Sequence, residues 1–258
     1  MAMKYVNSSV QKAVTLLAVA MLMLGCGTSS RVKDGTLAGV APKLVPTEVY
    51  LPIDQFDKEG VKLPYEVSIN PYAEQSGRIK KESVTRYIEA RRAYKSKEYA
   101  VAAEKLHALT REDEKLSGPW VMLGDIATKQ GEKDDATELY QKAIEVNAQN
   151  INAYIRLAKV LRIQGQFIQA QNLYAEALAL WPDFPEAHLN LAILYDIYMN
   201  MPKAAQQHME TYQFLTGNKD EQVATWLVDL RSRTGLEYSI RAGQLITMPA
   251  LSIAGDVK

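Results

Sequence analysis

The chain has 258 residues but only one cysteine, Cys26, and its 30 acidic side chains balance its 30 basic ones. A single cysteine cannot form an internal disulfide, so the fold must be stable without one. Balanced charge argues against a nucleic-acid partner, because nucleic-acid binding requires a strongly basic surface. The sequence also lacks a glycine-rich phosphate loop and a serine-centred nucleophile motif. We therefore predict no catalytic residue, cofactor, metal site or small-molecule substrate, and an enzyme is the least favoured class of function.

One long apolar run is present, at residues 13–24, and Lys4 and Lys12 precede it. A helix of about 12 residues spans about 18 Å, which is too short for a hydrocarbon core of about 30 Å. Positive residues, a short apolar run and a small residue after it are typical of a cleavable secretory signal. We therefore predict a signal peptide at residues 1–25. No second segment of this kind follows it.

The end of the run, Met23-Leu24-Gly25-Cys26, resembles the bacterial lipobox, in which a signal peptidase cuts before the cysteine and the cysteine then carries lipid. Gly25 and Cys26 fit this pattern, whereas Met23 and Leu24 depart from its usual residues. The resemblance implies an anchor of fatty chains such as palmitate on Cys26, and Gly27 after it implies sorting to the outer membrane. The alternative is an ordinary signal peptide or an uncleaved anchor with an incidental cysteine.

Residues 26–81 are predicted to form an extended, flexible tether between the lipidated cysteine and a folded domain. They have no sustained helical period, and they contain the prolines Pro42, Pro46, Pro52, Pro64 and Pro71. Proline at this density favours extended or irregular backbone. Two short apolar stretches, 49–51 and 65–69, either pair as strands or lie on the folded domain.

A repeat with a period of 34 residues begins near residue 83. The residues at its twentieth place are Ala102, Ala136, Ala170 and Ala204, and those at its twenty-fourth place are Leu106, Tyr140, Tyr174 and His208. Small residues allow the two helices of a hairpin to approach closely, and large residues fill its core. This pattern predicts an all-α helix-turn-helix solenoid of about four repeats over residues 82–218. The predicted repeats lie near 83–116, 117–150, 151–184 and 185–218.

The residues at these places resemble the tetratricopeptide repeat. The third unit matches its motif nearly completely and the second matches it well. The matching residues are Trp120, Leu123, Gly124, Ala136, Tyr140 and Ala143 in the second unit, and Tyr154, Leu157, Ala158, Gly165, Phe167, Ala170, Tyr174, Ala177 and Pro182 in the third. The first unit is degenerate, since Arg86 and Glu89 do not fit, as often happens at the end of an array.

Residues 219–235 are predicted to form a capping helix, because Val223, Trp226, Leu227 and Leu230 recur at helical spacing. Such a helix covers the end of the solenoid that would otherwise meet solvent. The tail, residues 236–258, is predicted to be disordered with some local docking, and packing on the solenoid or binding of a partner are the alternatives.

In the tetratricopeptide family, the first helix of each hairpin lines a concave groove, so the resemblance implies a partner-binding surface there. The implied residues of this chain are Tyr87, Arg91, Tyr94, Asp125, Lys129, Asn152, Arg156, Lys159, Arg162 and Asn190. Arg156, Lys159 and Arg162 form a basic stripe, which predicts capture of an acidic peptide or a C-terminal carboxylate. The stripe does not match the full carboxylate clamp of chaperone-binding members. The alternative is that these charges only solvate the surface.

His188 and His208 fall at facing core places of the fourth hairpin. We expect their rings to pack in the core, because no further ligands at metal-binding spacing accompany them. A pH-sensitive contact between them is the alternative, because histidine titrates near neutral pH.

By these resemblances, the chain is identified as a bacterial outer-membrane tetratricopeptide-repeat lipoprotein that faces the periplasm. The implied function is a membrane-anchored protein–protein interaction scaffold whose groove captures a peptide or domain of an envelope protein. Lipoproteins of this architecture assist the assembly of envelope machines, notably the secretin pores of type IV pili. The alternatives are an adaptor for peptidoglycan hydrolases or a periplasmic protease, and a helper in polysaccharide export.

Overall fold

The computed structural model describes residues 42–75 and 79–240. The predicted signal peptide, Cys26 and residues 241–258 of the predicted tail lie outside the described residues. Ten α-helices lie within them. In chain order these are α1 (Pro71–Glu74), α2 (Lys81–Lys95), α3 (Tyr99–Glu112), α4 (Ser117–Gln130), α5 (Lys133–Val146), α6 (Ile151–Ile163), α7 (Phe167–Leu180), α8 (Pro185–Ile193), α9 (Pro202–Thr216) and α10 (Glu221–Thr234).

Helices α2 to α9 form four hairpins, and each hairpin packs against the next one along the chain. The helices α4, α6 and α8 begin at Ser117, Ile151 and Pro185, where the second, third and fourth units of the repeat begin. The prediction of an all-α solenoid of hairpins is therefore confirmed. None of the helices within the described ranges is long and apolar enough to cross a lipid bilayer.

Close approach within the second hairpin depends on Gly124. A Cβ atom at this position would lie 2.5 Å from the Cε1 atom of Tyr140, which is far closer than van der Waals contact allows. Alanine occupies the equivalent place in the other hairpins, as Ala90, Ala158 and Ala192, and all three are buried. The small residues of the repeat thus set the distance between the two helices of each hairpin.

Two clusters of buried apolar side chains form the core. The first joins α2 and α3 to one face of α4 through residues such as Ala90, Leu106 and Leu123. The second continues through the remaining hairpins and into α10. Trp120 and Leu139 pack against both clusters, so the core runs along the whole array.

Helix α10 covers the end of the array. Its N-terminus is capped by Asp220, whose side chain accepts a hydrogen bond from the Val223 amide at 3.1 Å. Val223, Leu227 and Leu230 are buried against the preceding hairpin, and the helix ends at Gly235, whose φ of 71° suits glycine. Trp226 also donates from Nε1 to Asp196 at 2.7 Å, which ties α10 to the fourth hairpin.

Helix α8 continues into a π-helical turn, Leu194–Tyr198. Tyr195 is buried within this turn, whereas Tyr198 is exposed and packs against Phe167 with ring centroids 5.2 Å apart. A π-helical turn often marks a functional position in a helix. Here it presents one tyrosine to the core and another to the third hairpin.

Residues 42–75, which we call the strap, lie against the array, and here the structure differs from the predicted free tether. Asp183 accepts hydrogen bonds from the Tyr65 hydroxyl at 2.5 Å and from the Ser68 amide at 2.6 Å. Trp181 donates from Nε1 to the Ser68 carbonyl at 2.8 Å. The irregular backbone is thus held because side chains of the array satisfy its polar groups.

The strap also lacks the strands that were one of its two predicted states. Residues 48–50 form a single 3-10 turn, and Phe56 and Lys62 form an isolated antiparallel bridge. The other predicted state, contact with the folded domain, is the one that the structure shows.

Candidate partner-binding groove

A cavity of about 390 Å³ opens on the inner face of the first three hairpins. Six of the predicted groove residues line it, which are Tyr87, Arg91, Tyr94, Asp125, Asn152 and Arg156. The other lining residues are Tyr72, Lys95, Gly118, Val121, Met122 and Asn150. The first helices of three successive hairpins, α2, α4 and α6, therefore contribute side chains to one site.

Three tyrosines form an aromatic wall of the cavity. Tyr87 and Tyr94 come from α2, and Tyr72 comes from α1 in the strap. Burial is the main cause that raises the pKa of Tyr87, and the neighbouring Tyr72 raises it further. The Tyr87 hydroxyl therefore remains neutral. The sequence analysis missed Tyr72, because it precedes the repeat and no periodicity marks it.

The floor of the cavity holds an ion pair between two hairpins. The Arg156 Nε atom donates to Asp125 Oδ1 at 2.8 Å, and the Tyr140 hydroxyl donates to the same oxygen at 2.8 Å. Burial is the main cause that raises the pKa of Tyr140, and the negative charge of Asp125 raises it further. The Tyr140 hydroxyl therefore stays protonated and can donate. Arg156 is therefore held in place by the protein itself.

The other two cations of the predicted basic stripe also have partners within the protein. Lys159 Nζ donates to Glu186 Oε1 at 2.5 Å, and the Arg162 guanidinium lies over the Tyr198 ring, 5.4 Å from its centroid. The structure thus engages all three cations of the stripe, and it does not bring Lys159 or Arg162 to the cavity.

Two cations on α2, Arg91 and Lys95, line the cavity and are exposed to solvent. Within residues 42–75 and 79–240, neither forms an ion pair with a carboxylate. The positive charge that the cavity can offer to a ligand therefore comes from the first hairpin and not from the third, where the stripe was predicted.

Lys129 and Asn190 lie apart from the cavity. Lys129 is exposed near the end of α4. Asn190 is buried, and its side chain donates to the Glu186 carbonyl of its own helix at 2.7 Å. The structure therefore groups these two residues with neither the aromatic wall nor the unpaired cations.

The arrangement of these side chains suits the binding of a polypeptide segment better than catalysis. Val121 and Met122 supply apolar contact, the tyrosines supply flat amphipathic surfaces, and Arg91 and Lys95 supply charge. The described part of the chain has no group of three or more His, Cys, Asp and Glu side chains that could hold a metal ion.

The two histidines of the fourth hairpin contact each other, as their places in the repeat predict. Their Nδ1 atoms are 2.8 Å apart and their ring centroids are 5.1 Å apart. Burial lowers the pKa of His188 to about 4 and lowers that of His208 well below its usual value. Both rings are therefore neutral at pH 7.

Comparison with known families identifies the repeat. Two sequence profiles of the tetratricopeptide repeat match the chain, one over residues 118–150 and the other over residues 151–194. The chain therefore contains tetratricopeptide repeats, which are protein-interaction modules, and it has the architecture of a scaffold for protein partners.

Among curated proteins, the chain is similar to the protein CTR9 homolog of Arabidopsis thaliana. The two are 24% identical over 149 residues, which cover 57% of this chain and only 14% of the length of that protein. The similarity is thus confined to a small part of the relative.

Among solved structures, the chain is similar to MamA 41-end from Desulfovibrio magneticus RS-1, with a TM-score of 0.51, 16% identity, and coverage of 65% of this chain and 93% of that one. It is also similar to PilF of Pseudomonas aeruginosa, with a TM-score of 0.54, 19% identity, and coverage of 62% and 72%. At these identities, the similarity shows a shared fold.

Proposed function

We propose that this protein is an outer-membrane lipoprotein that captures an acidic segment of a partner protein in the cavity of its first three repeats. One observation carries the capture of an acidic segment, which is that Arg91 and Lys95 line the cavity beside tyrosines and have no carboxylate partner among the described residues. The proposed result of capture is assistance in assembling a cell-envelope machine, such as a pilus or a secretion system.

Charge and aromatic surface act together in this proposal. Hydrogen bonds to charged groups are stronger than those between neutral groups, so carboxylates of a partner are expected to contact Arg91 and Lys95. Tyrosines beside arginine are frequent centres of binding energy, because they bury a large rigid surface at little entropic cost. Tyr87 and Tyr94 are therefore expected to contact the side chains that flank those carboxylates.

The anchor contributes position. A fatty anchor on Cys26 would hold the groove near one membrane and raise its effective concentration towards partners at that membrane without any new contact. We expect Cys26→Ala to release the protein from membranes into the soluble periplasmic fraction, measured by fractionation and immunoblotting. A variant that has lost residues 1–25 and still stays with the membranes would show that the anchor is not lipid on this cysteine.

The first experiment is a crosslinking pull-down from intact cells followed by mass spectrometry. Recovery of a secretin or pilus component supports the assembly function. Recovery of peptidoglycan hydrolases, a periplasmic protease or polysaccharide-export proteins would replace that function with the corresponding alternative.

With the recovered partner, the groove is tested by a double variant, Arg91→Ala with Lys95→Ala. We expect the dissociation constant to rise by at least about tenfold, since even one hydrogen bond to a charged group contributes about 1.5–3 kcal/mol. The matched control is Lys81→Ala with Arg92→Ala, which removes two exposed cations from the same helix outside the cavity. Equal losses in both double variants would mean that only the overall charge matters, and no loss in either would refute the site.

A further inference from the structure

One continuous line of hydrogen bonds joins the strap to the fourth hairpin through buried side chains. The line begins with Gln171 Nε2, which bonds the Tyr195 hydroxyl at 2.9 Å, and that hydroxyl bonds Thr47 Oγ1 at 2.9 Å. Thr47 Oγ1 in turn bonds His208 Nε2 at 2.8 Å. The line ends with two bonds of 2.8 Å, one between His208 Nδ1 and His188 Nδ1 and one between His188 Nε2 and the Pro182 carbonyl. Thr47 is the strap's only member of this line, and it is 2% exposed.

At both ends of the line, the neighbouring atoms fix which group donates the hydrogen bond and which accepts it. At one end, Gln171 Oε1 accepts from the Val45 amide at 3.2 Å and Gln171 Nε2 donates to the Val45 carbonyl at 2.8 Å. The second hydrogen of Nε2 must therefore go to Tyr195. At the other end, the Pro182 oxygen can only accept, so His188 Nε2 carries a hydrogen.

Between these ends, neutral side chains satisfy every bond once. The Tyr195 hydroxyl donates to Thr47, Thr47 donates to His208 Nε2, and His208 Nδ1–H donates to His188 Nδ1. Each donor has one acceptor and each imidazole carries one hydrogen. The line is thus complete only with both rings neutral.

An added proton breaks this pattern whichever ring takes it. The two hydrogen bonds that connect His208 to Tyr195 through Thr47 must then reverse their direction. Tyr195 would accept from both Thr47 and Gln171, and its own hydrogen would have no acceptor in the line. A cation would also lie in a site that excludes water, which is costly. The charged groups that act on this line from the surrounding elements are Asp183 on His188 and Glu48 on Tyr195.

We propose that Thr47 latches the strap to the array only while both histidines are neutral, so that acidification releases the strap around residues 43–50. Release lets water reach His208, which can then take a proton without reversing the line. Opening is therefore coupled to proton uptake and becomes more frequent as the pH falls below the ordinary pKa of a histidine, about 6.5.

The latch acts on the length of the link that precedes the repeats, and none of residues 43–50 lines the groove. In a protein anchored at Cys26, release would lengthen the path from the membrane to the array. That consequence rests on the proposed anchor, whereas the latch itself does not.

Hydrogen–deuterium exchange of the full chain between pH 8 and pH 5 tests the latch. After correction for intrinsic exchange rates, opening of the peptide that covers residues 43–50 is expected to rise about 30-fold at pH 5, if one imidazole with a pKa of about 6.5 takes up a proton. Amides of α6 exchange through unfolding of the whole array, so they should remain far slower than those of the strap at pH 5. No rise in the strap, or strap exchange as slow as that of α6 at pH 5, would overturn the proposal.

Two variants of the latch residue sharpen the test without touching the core of the array. Thr47→Val removes the hydroxyl, so strap exchange should be fast already at pH 8 and respond little to acid. Thr47→Ser keeps the hydroxyl and should keep the pH response.

Histidine variants supply the second control. His208→Gln cannot take a proton at these pH values and should abolish the response, whereas His107→Gln alters an exposed histidine outside the line and should preserve it. A full response in Thr47→Val, or a lost response in His107→Gln, would contradict the latch.

Discussion

The third and fourth hairpins place different chemistry at the same position of the repeat. Tyr174 in the third hairpin is fully buried, and its hydroxyl has no hydrogen-bond partner in the described part of the chain. His208 in the fourth hairpin is equally buried, but both of its ring nitrogens are hydrogen-bonded. At this position, Tyr174 stabilises the third hairpin by apolar contact, whereas His208 in the fourth hairpin requires polar partners.

This difference shows what a repeat needs from the rest of the chain. The third hairpin draws its core from its own helices and their neighbours, so a large ring is sufficient there. The fourth hairpin takes one hydrogen-bond partner, Thr47, from the strap. A buried polar pair is tolerated in this frame because a segment outside the repeat completes its hydrogen bonds.

The largest expected effect comes from the apolar side of the comparison. Tyr174→Ala should lower the free energy of unfolding by about 3–5 kcal/mol, because it leaves a cavity in the middle of the array. Urea denaturation followed by circular dichroism measures the change. Tyr174→Phe is the control, and it should be close to neutral, since it removes only a hydroxyl without a partner. A large loss of stability in Tyr174→Phe would mean that the Tyr174 hydroxyl also depends on a polar partner.

The polar side of the comparison predicts a pH dependence. Burial lowers the pKa of His188 from 6.5 to about 4, so the unfolded chain binds more protons between these values. The free energy of unfolding should therefore fall as the pH drops from 6.5 towards 4, by up to about 3 kcal/mol for this residue. Denaturation at a series of pH values measures the slope. His188→Gln should reduce the slope and leave the part that His208 contributes. An unchanged slope would mean that His188 does not contribute to it.

The smallest expected effect compares one substitution at two tyrosines. Tyr195→Phe removes a hydroxyl that bonds both Thr47 and Gln171, so it should cost about 1–2 kcal/mol. Tyr174→Phe, which removes no bond, is the matched variant. Equal values for the two would erase the distinction between the hairpins.

The repeat frame was predictable because its contacts recur. Close approach at Gly124 and filling by Tyr140 belong to positions that return with every unit, so periodicity alone locates them. The same alignment brought His188 and His208 face to face, and their rings are in contact. The resemblance to the tetratricopeptide repeat implied Tyr87 and Tyr94 as groove residues, and both line the cavity.

The state of the predicted cations was not predictable in this way. Arg156 pairs with Asp125 of the preceding hairpin, and Lys159 pairs with Glu186 of the following one. These pairs depend on how far successive hairpins are rotated, which a single period does not contain. The sequence pattern therefore located the inner face but not which of its charges remain available.

The strap lies furthest from what a pattern can show. Thr47 and His208 are 161 residues apart in the chain, and Ser68 and Asp183 are 115 apart. Its composition alone favours a free tether, because proline-rich segments lack periodic apolar faces. Its place on the array depends on hydrogen bonds to side chains such as Asp183 and His208, which lie far from it in the chain.

The helices, the hairpins and the core of this protein follow from its amino-acid sequence, because they depend on local spacing that repeats along the chain. Which cations face solvent in the groove, and where the strap lies, become visible only in the folded molecule. Both depend on atoms from distant segments meeting within hydrogen-bond distance, and such meetings arise only when the hairpins are stacked.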